Sequence, residues 1–294
     1  MAVPKLPAYN LELTDRVLGR QKEKDQVVKF LLDLSDNTNT NGNMSILGIV
    51  GPGGIGKTTL AHVVYEDHKV RTSFQLRIWI TFPSYQLEAR TLAKIMLRIL
   101  QVSSGQDDEL LDPMPHLQDS LNGKNLLLVL DGCWSIHEWE KLQTCFESAA
   151  RGSAIILTTR TTKTALQMLA DLHLSFLSME YCWSLFSNHC FGNQRHSCSP
   201  ELEVMGKRIL RKSGGMPLAV KMLGGLLYEK DYEVCEQIWR SQQWDKTNIG
   251  LSIPFVRLCY LDLPIQLKRC ITYLAIWTAK GLIQQVTWIL PGKS

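Results

Sequence analysis

Residues 51–59 read Gly-Pro-Gly-Gly-Ile-Gly-Lys-Thr-Thr, a G-x-x-x-x-G-K-[ST] pattern whose chemistry is the gripping of phosphate. Gly51, Gly53, Gly54 and Gly56 carry no Cβ, so backbone N–H groups around Ile55 can turn inward and take up positive φ where the turn needs it. Lys57 offers a mobile cation to the β- and γ-phosphates, and Thr58 a hydroxyl to Mg²⁺. Thr59 stands where a contact to the α-phosphate would fall. The pattern follows an apolar stretch and opens a helical one, so the phosphate would meet the positive end of that helix. An ordinary glycine-rich turn beside a surface lysine would not need this context.

A phosphate loop needs a carboxylate for its metal, delivered by another parallel strand. Leu126–Leu130 is an apolar run that ends in Asp131. The same residue could instead cap the following helix. The position after it, where many ATPases of this class carry a second acid to orient water, is Gly132, which has no group to polarise anything. Slow hydrolysis is expected. Gly152–Thr159 is a further strand candidate ending in polar residues, and Arg160 after it could reach a γ-phosphate through a charge-assisted bond. A solvated arginine at a helix cap is the other reading of Arg160.

These groups must be held by a frame, and the hydropathy pattern supplies one. Short apolar strands are expected at Ser45–Val50, Leu76–Ile80, Asn125–Leu130, Ala154–Leu157 and Leu172–Phe176. None alternates, as befits strands buried on both faces of a parallel sheet. Helical segments such as Lys57–Tyr65 and Glu88–Leu100 lie between them, and an amphipathic helix follows Gly19, so an α/β domain with helices on both faces is expected. Residues 35–43 read as a polar loop. Beyond about residue 178 the spacing is helical throughout: Tyr181–Phe191, Leu202–Lys212, Pro217–Tyr228, Cys235–Gln243 and Pro264–Ile276. Pro217 suits the first turn of a helix.

Composition narrows the function classes. The chain has 294 residues, 45% hydrophobic and 20% charged, with 32 Lys plus Arg against 28 Asp plus Glu. That near balance and a pI of 8.6 give no reason to expect nucleic acid as a partner. No apolar run approaches the ~18 residues of a membrane helix, and no secretory signal opens the sequence, so a soluble, cytoplasmic protein is expected. Eight cysteines without a Cys-x-x-Cys pair read as reduced thiols. Cys182, His189, Cys190, His196 and Cys198 cluster, but their spacing fits no usual zinc pattern, and Cys182, Leu185, Phe186 and His189 share a helix face.

Taken in series, Val17-Leu-Gly-Arg20, residues 51–59, Leu126–Trp134, Gly152–Arg160, Cys182–Phe186, Gly214-Gly-Met-Pro217-Leu218-Ala219 and Leu267-Lys-Arg-Cys270 resemble the NB-ARC module of plant disease-resistance proteins, the intracellular nucleotide-binding leucine-rich-repeat immune receptors. Trp134 is similar to the coiled-coil-bearing subclass. The resemblance implies a P-loop NTPase domain (14–178), a helical subdomain (179–245) and a partial winged-helix subdomain (246–294). It implies ADP or ATP with Mg²⁺, ADP holding the off state. Val17, Gly19 and Arg20 would line the adenine side, and Pro217 and Leu218 would close over the base; Lys57, Thr58 and Thr59 would hold the phosphates, Asp131 the metal, and Arg160 would sense the γ-phosphate.

Three functions compete at this level. The leading one is a conformational switch in plant defence, at most a slow ATPase, acting through self-association or other immune-receptor proteins. The second is a working P-loop ATPase, in which His137 or Glu138 would have to orient water. The third is a non-switching interaction fragment. The Phe-Pro continuation expected after Cys270 and the later Met-His-Asp motif are not found before Ser294, and no coiled coil or repeat accompanies the module, so an isolated or truncated switch is expected.

Overall fold

A computed structural model of the chain describes residues 17–36, 44–81, 88–101, 112–132, 136–160, 170–191, 200–228, 230–240 and 253–279. Five parallel strands form one sheet: β1 (Met44–Val50), β2 (Leu76–Thr81), β3 (Leu126–Asp131), β4 (Ser153–Thr159) and β5 (Ala170–His173), in the spatial order β2-β3-β4-β1-β5. Every residue of β3 and β4 is buried. The apolar runs of β3 and β4 therefore read correctly as central strands, each large aliphatic side chain contributing roughly 1.5–3 kcal/mol on burial. β2 and β5 instead lie at the edges, and β2 is only partly buried.

The frame around the sheet consists of α1 (Gln21–Asp36), α2 (Lys57–Tyr65), α3 (His68–Ser73), α4 (Ala89–Ile99), α5 (Pro113–Leu121) and α6 (Ile136–Phe146). Leu92, Ala93 and Met96 of α4 and Leu117 and Leu121 of α5 close one core against Ile78, Leu128 and Ile155 of the sheet. α3 and α5 are not evident from periodicity, being six and nine residues long. Local capping makes both: the Asp67 carboxylate accepts from the Lys69 N–H at 3.0 Å, and Asp112 from Met114 N–H at 3.3 Å with Pro113 at the start.

Several strand ends shift by one residue from expectation, and the larger shifts fall in β4 and in β5, which starts at Ala170 instead of Leu172. β4 runs on to Thr159, because its parallel register with β1 continues to Val50 opposite Thr159. β5 stops at His173 instead of running to Phe176: it pairs only with Leu47–Val50, and after the Leu174 N–H bond to the Val50 carbonyl the Ser175 carbonyl turns to a side chain. α1 also continues through Ser35 and Asp36, where a loop is expected.

The chain forms two compact units, Met1–Ser184 with Gly215–Leu218, and Leu185–Gly214 with Ala219–Ser294. The described helices of the later sequence are α7 (Met179–Cys190), α8 (Pro200–Leu210), α9 (Pro217–Leu226), α10 (Tyr232–Arg240), α11 (Ile253–Asp262) and α12 (Ile265–Ala279). Within the second unit Gly224 lets α9 approach α7 closely, since a Cβ there would stand 2.6 Å from His189 Cβ and 3.1 Å from the Phe186 carbonyl. The Arg208 guanidinium lies 4.8 Å from the centre of the Trp239 ring, tying α8 to α10.

Among the described residues no helix is long and apolar enough to cross a membrane. The readings at residues 14–16, 37–43 and 280–294 and at Cys133, Trp134, His196 and Cys198 lie outside the described residues, as do the side chains of His137 and Glu138.

Candidate functional site

The loop between β1 and α2 is built as its glycines require. Gly54 and Gly56 have φ of +83° and +103°, a region side chains seldom enter, and Gly56 caps the N-terminus of α2. A Cβ on Gly54 would also lie 2.7 Å from Leu218 Cβ. Ile55, fully buried, anchors the loop from beneath. The Lys57 ammonium folds back over the turn and donates to the carbonyls of Gly51 (2.8 Å) and Pro52 (3.0 Å). Thr58 is exposed and Thr59 half-buried in the first turn of α2.

The carboxylate anticipated from the sequence does reach this loop. Thr58 Oγ1 donates to Asp131 Oδ1 at 2.8 Å. The route is less direct than expected, because β4 lies between β1 and β3. Register places Thr158 of β4 opposite Asp131, and its hydroxyl donates to the same Oδ1 at 2.7 Å while accepting the Gly132 N–H at 3.0 Å. Asp131 and Thr158 are 6% and 2% exposed. The sequence offers Thr158 only as one of several polar residues ending a strand; its partner follows from strand order, which local pattern does not encode.

Arg160, exposed just past β4, lies beside the loop: a Cβ on Gly53 would stand 3.7 Å from its Cζ. Arg20 is almost fully buried, and its guanidinium pairs with Glu23 (2.8 Å) and donates to the carbonyls of Ile55 (3.0 Å) and Ser175 (2.7 Å). It props the loop from α1 and from the segment after β5. Gly19 has φ +73° and packs under Tyr181, whose Cδ2 would lie 2.7 Å from a Cβ; Val17 is half-buried.

The loop at 215–218 meets the same corner through its backbone. The Leu218 N–H donates to the Gly54 carbonyl (3.2 Å) and the Leu177 N–H to the Gly215 carbonyl (2.9 Å). Gly215 has φ +81° and a Cβ there would stand 2.6 Å from the Leu177 carbonyl. Pro217 opens α9, and the Leu218 side chain is partly exposed above Gly54.

Gly132, where a second acid is expected in ATPases, has φ +121°. A side chain would be strained there, so the missing acid is bound up with the backbone and not only with residue choice. Of the cysteine–histidine cluster, Cys182 and Cys190 are buried, their thiols 3.6 Å and 3.4 Å from the carbonyls of Leu177 and Leu227. Burial pushes the Cys182 thiol up and the half-buried His189 down, Lys221 adding to the latter. Among the described residues no group of His, Cys, Asp and Glu is arranged to hold a metal ion.

The hard oxygens of Thr58 and Asp131, side by side at the mouth of the loop, fit a Mg²⁺ ion in donor type. The fold is similar to that of solved structures. The chain is similar to Cdc6p of Pyrobaculum aerophilum (TM-score 0.54, 13% identity, 80% of this chain and 66% of that one). It is also similar to the Aeropyrum pernix ORC2 protein, solved as ADPNP–ADP complexes (TM-score 0.51, 13% identity, 92% and 77%). Among curated proteins it is 38% identical over 269 residues to disease resistance protein RGA2 of Solanum bulbocastanum, covering 89% of this chain and 27% of that protein. It is 35% identical to the putative disease resistance RPP13-like protein 1 of Arabidopsis thaliana, covering 96% and 29%. The chain thus spans between a quarter and a third of the length of these relatives. The NB-ARC domain model matches residues 20–196, and with the glycine loop, its acid and its fold all in place, the chain belongs to the NB-ARC family found in plant disease-resistance proteins.

Proposed function

We propose that this chain is the ADP/ATP-binding switch module of a plant intracellular immune receptor, acting in the cytoplasm and turning over nucleotide slowly at most. The observation that carries this reading is the Thr58–Asp131 bond of 2.8 Å at the mouth of the glycine loop. It brings a hydroxyl and a carboxylate together beside the loop, which supports a metal site there, with the Lys57 ammonium over the same turn.

In this reading the backbone N–H groups of residues 53–56 and the ammonium of Lys57 bind the phosphates, the ammonium exchanging its loop carbonyls for phosphate oxygens. Thr59 contacts the α-phosphate and Arg160 the γ-phosphate. Bound through Thr58 and Asp131, Mg²⁺ would supply charge neutralisation across the phosphates. The base lies on the side of Val17, Gly19 and Arg20, beneath Pro217 and Leu218. Residues 14–178, 179–245 and 246–294 would be the nucleotide-binding, helical and partial winged-helix parts.

Slow turnover follows from Gly132, which offers no group to orient an attacking water. The output is therefore an arrangement, read by self-association or by other immune-receptor proteins. To carry a population from 1:99 to 99:1, ADP and ATP must differ by about 5.5 kcal/mol in their preference for two arrangements. Mass spectrometry of nucleotide released from the purified native chain tests the reading. Stoichiometric ADP or ATP is expected, and a folded chain that neither carries nor binds adenine nucleotide would overturn it.

A further inference from the structure

Thr158 is buried and makes two directed hydrogen bonds at the acidic corner. Their polarity is determined. The Gly132 N–H can only donate, so the Thr158 oxygen accepts it, and the one hydroxyl proton of Thr158 is directed to Asp131 Oδ1. The Thr58 proton arrives at the same oxygen. Asp131 is thus held by two hydroxyls on one side of its carboxylate, from two different elements. Thr158 is fixed by the β3–β4 register, and the Gly132 amide follows directly on Asp131 at the end of β3.

We infer that Thr158 is a positioning residue for the magnesium corner: the relay from Gly132 N–H through Thr158 Oγ1 to Asp131 Oδ1 sets the carboxylate for the metal that accompanies a nucleotide. This rests on the metal-binding reading of Thr58 and Asp131 given above. It also gives the backbone N–H at position 132 a role. Where a second acid would orient water, this chain uses the backbone to orient the first acid. Hydrogen-bonded supports of metal ligands commonly govern metal affinity by about 10- to 100-fold, without touching the metal.

The test is a titration of ATP into the purified chain by calorimetry, with Mg²⁺ and again with EDTA, for wild type, Thr158→Val and Thr158→Ser. The readout is the ratio of the two affinities, alongside the melting temperature without nucleotide. For wild type, Mg²⁺ should strengthen ATP binding. Thr158→Val, which keeps the β-branched shape and loses the hydroxyl, should shrink that strengthening by about tenfold, and Thr158→Ser should restore it. A merely structural role would instead weaken binding equally in both buffers. Wild type that ignores Mg²⁺ would defeat the metal-binding reading itself. Wild type that responds, with Thr158→Val responding identically, would defeat the role of Thr158 alone. If Thr158→Val fails to fold, Thr158→Cys, similar in size and a weaker donor, takes its place under the same two outcomes.

Discussion

The two halves of the candidate site are made in opposite ways. The phosphate loop owes its shape to consecutive residues: Gly54 and Gly56 at positive φ, Ile55 buried, and Lys57 opening α2. The acidic corner is assembled from Thr58, Asp131, Gly132 and Thr158, which come from three elements and meet through sheet order and register. A local turn survives small changes in packing that would misalign an assembled corner. The loop is accordingly the half to grip a ligand by itself, and the corner the half to respond to strand position.

That contrast can be broken most forcefully at Arg20, a long-range prop beneath the loop. Arg20→Met removes the bonds to the Ile55 and Ser175 carbonyls and leaves Glu23 largely buried without its partner. A loss of about 3 kcal/mol in denaturant unfolding is expected, with weaker nucleotide binding; an unchanged unfolding midpoint would make the loop wholly self-sufficient. Lys57→Ala should cost about 1.5–3 kcal/mol of binding, roughly 10- to 100-fold in Kd by calorimetry, with the melting temperature of the nucleotide-free chain almost unmoved.

Gly54→Ala and Gly132→Asp address backbone in each half, each at about 1–3 kcal/mol of strain. Gly54→Ala, at φ +83° and facing Leu218, should lower affinity with and without Mg²⁺ alike. Gly132→Asp, at φ +121°, should lower the Mg²⁺-dependent part and leave phosphate release from ATP no faster. A large gain in release would show that only a missing carboxylate holds hydrolysis back.

The smallest effect is a control behind the loop. Burial raises the Asp67 carboxyl, but the Lys24 ammonium at 2.8 Å and the Lys69 and Val70 amides outweigh it and hold it below its ordinary value. A depressed carboxyl stabilises the fold above the unfolded pKa of about 3.9 and loses that contribution as pH falls through the lower folded value. Asp67→Asn should cost below about 1 kcal/mol at pH 7 in thermal unfolding, the difference closing only in acid beyond about pH 4.

Legibility in the sequence follows the same division. β1, β3 and α2 stand out because unalternated apolar runs and the glycine loop are local signals, and Asp131 is found because it ends such a run. Thr158 is not, since nothing in Gly152–Arg160 states that β4 lies between β1 and β3. Arg20 reads as part of a short motif, but its carbonyl partners are 35 and 155 residues away. α5 stayed hidden because it is short and opens with two prolines, and its apolar positions Leu117 and Leu121 span one turn. The end of β5 was misplaced because hydropathy continues through Leu174 and Phe176 after the backbone has left the sheet.

The four residues Gly215–Leu218 belong to the sheet-bearing unit although the chain on either side of them belongs to the other. The sheet-bearing body is therefore stitched from two stretches of polypeptide. Any recombinant fragment that stops at Ser184 discards the strip that donates to the Gly54 carbonyl and accepts from Leu177, depriving two backbone groups of these partners. Expression boundaries for this molecule must run through residue 218 or the excised piece will misreport its own grip.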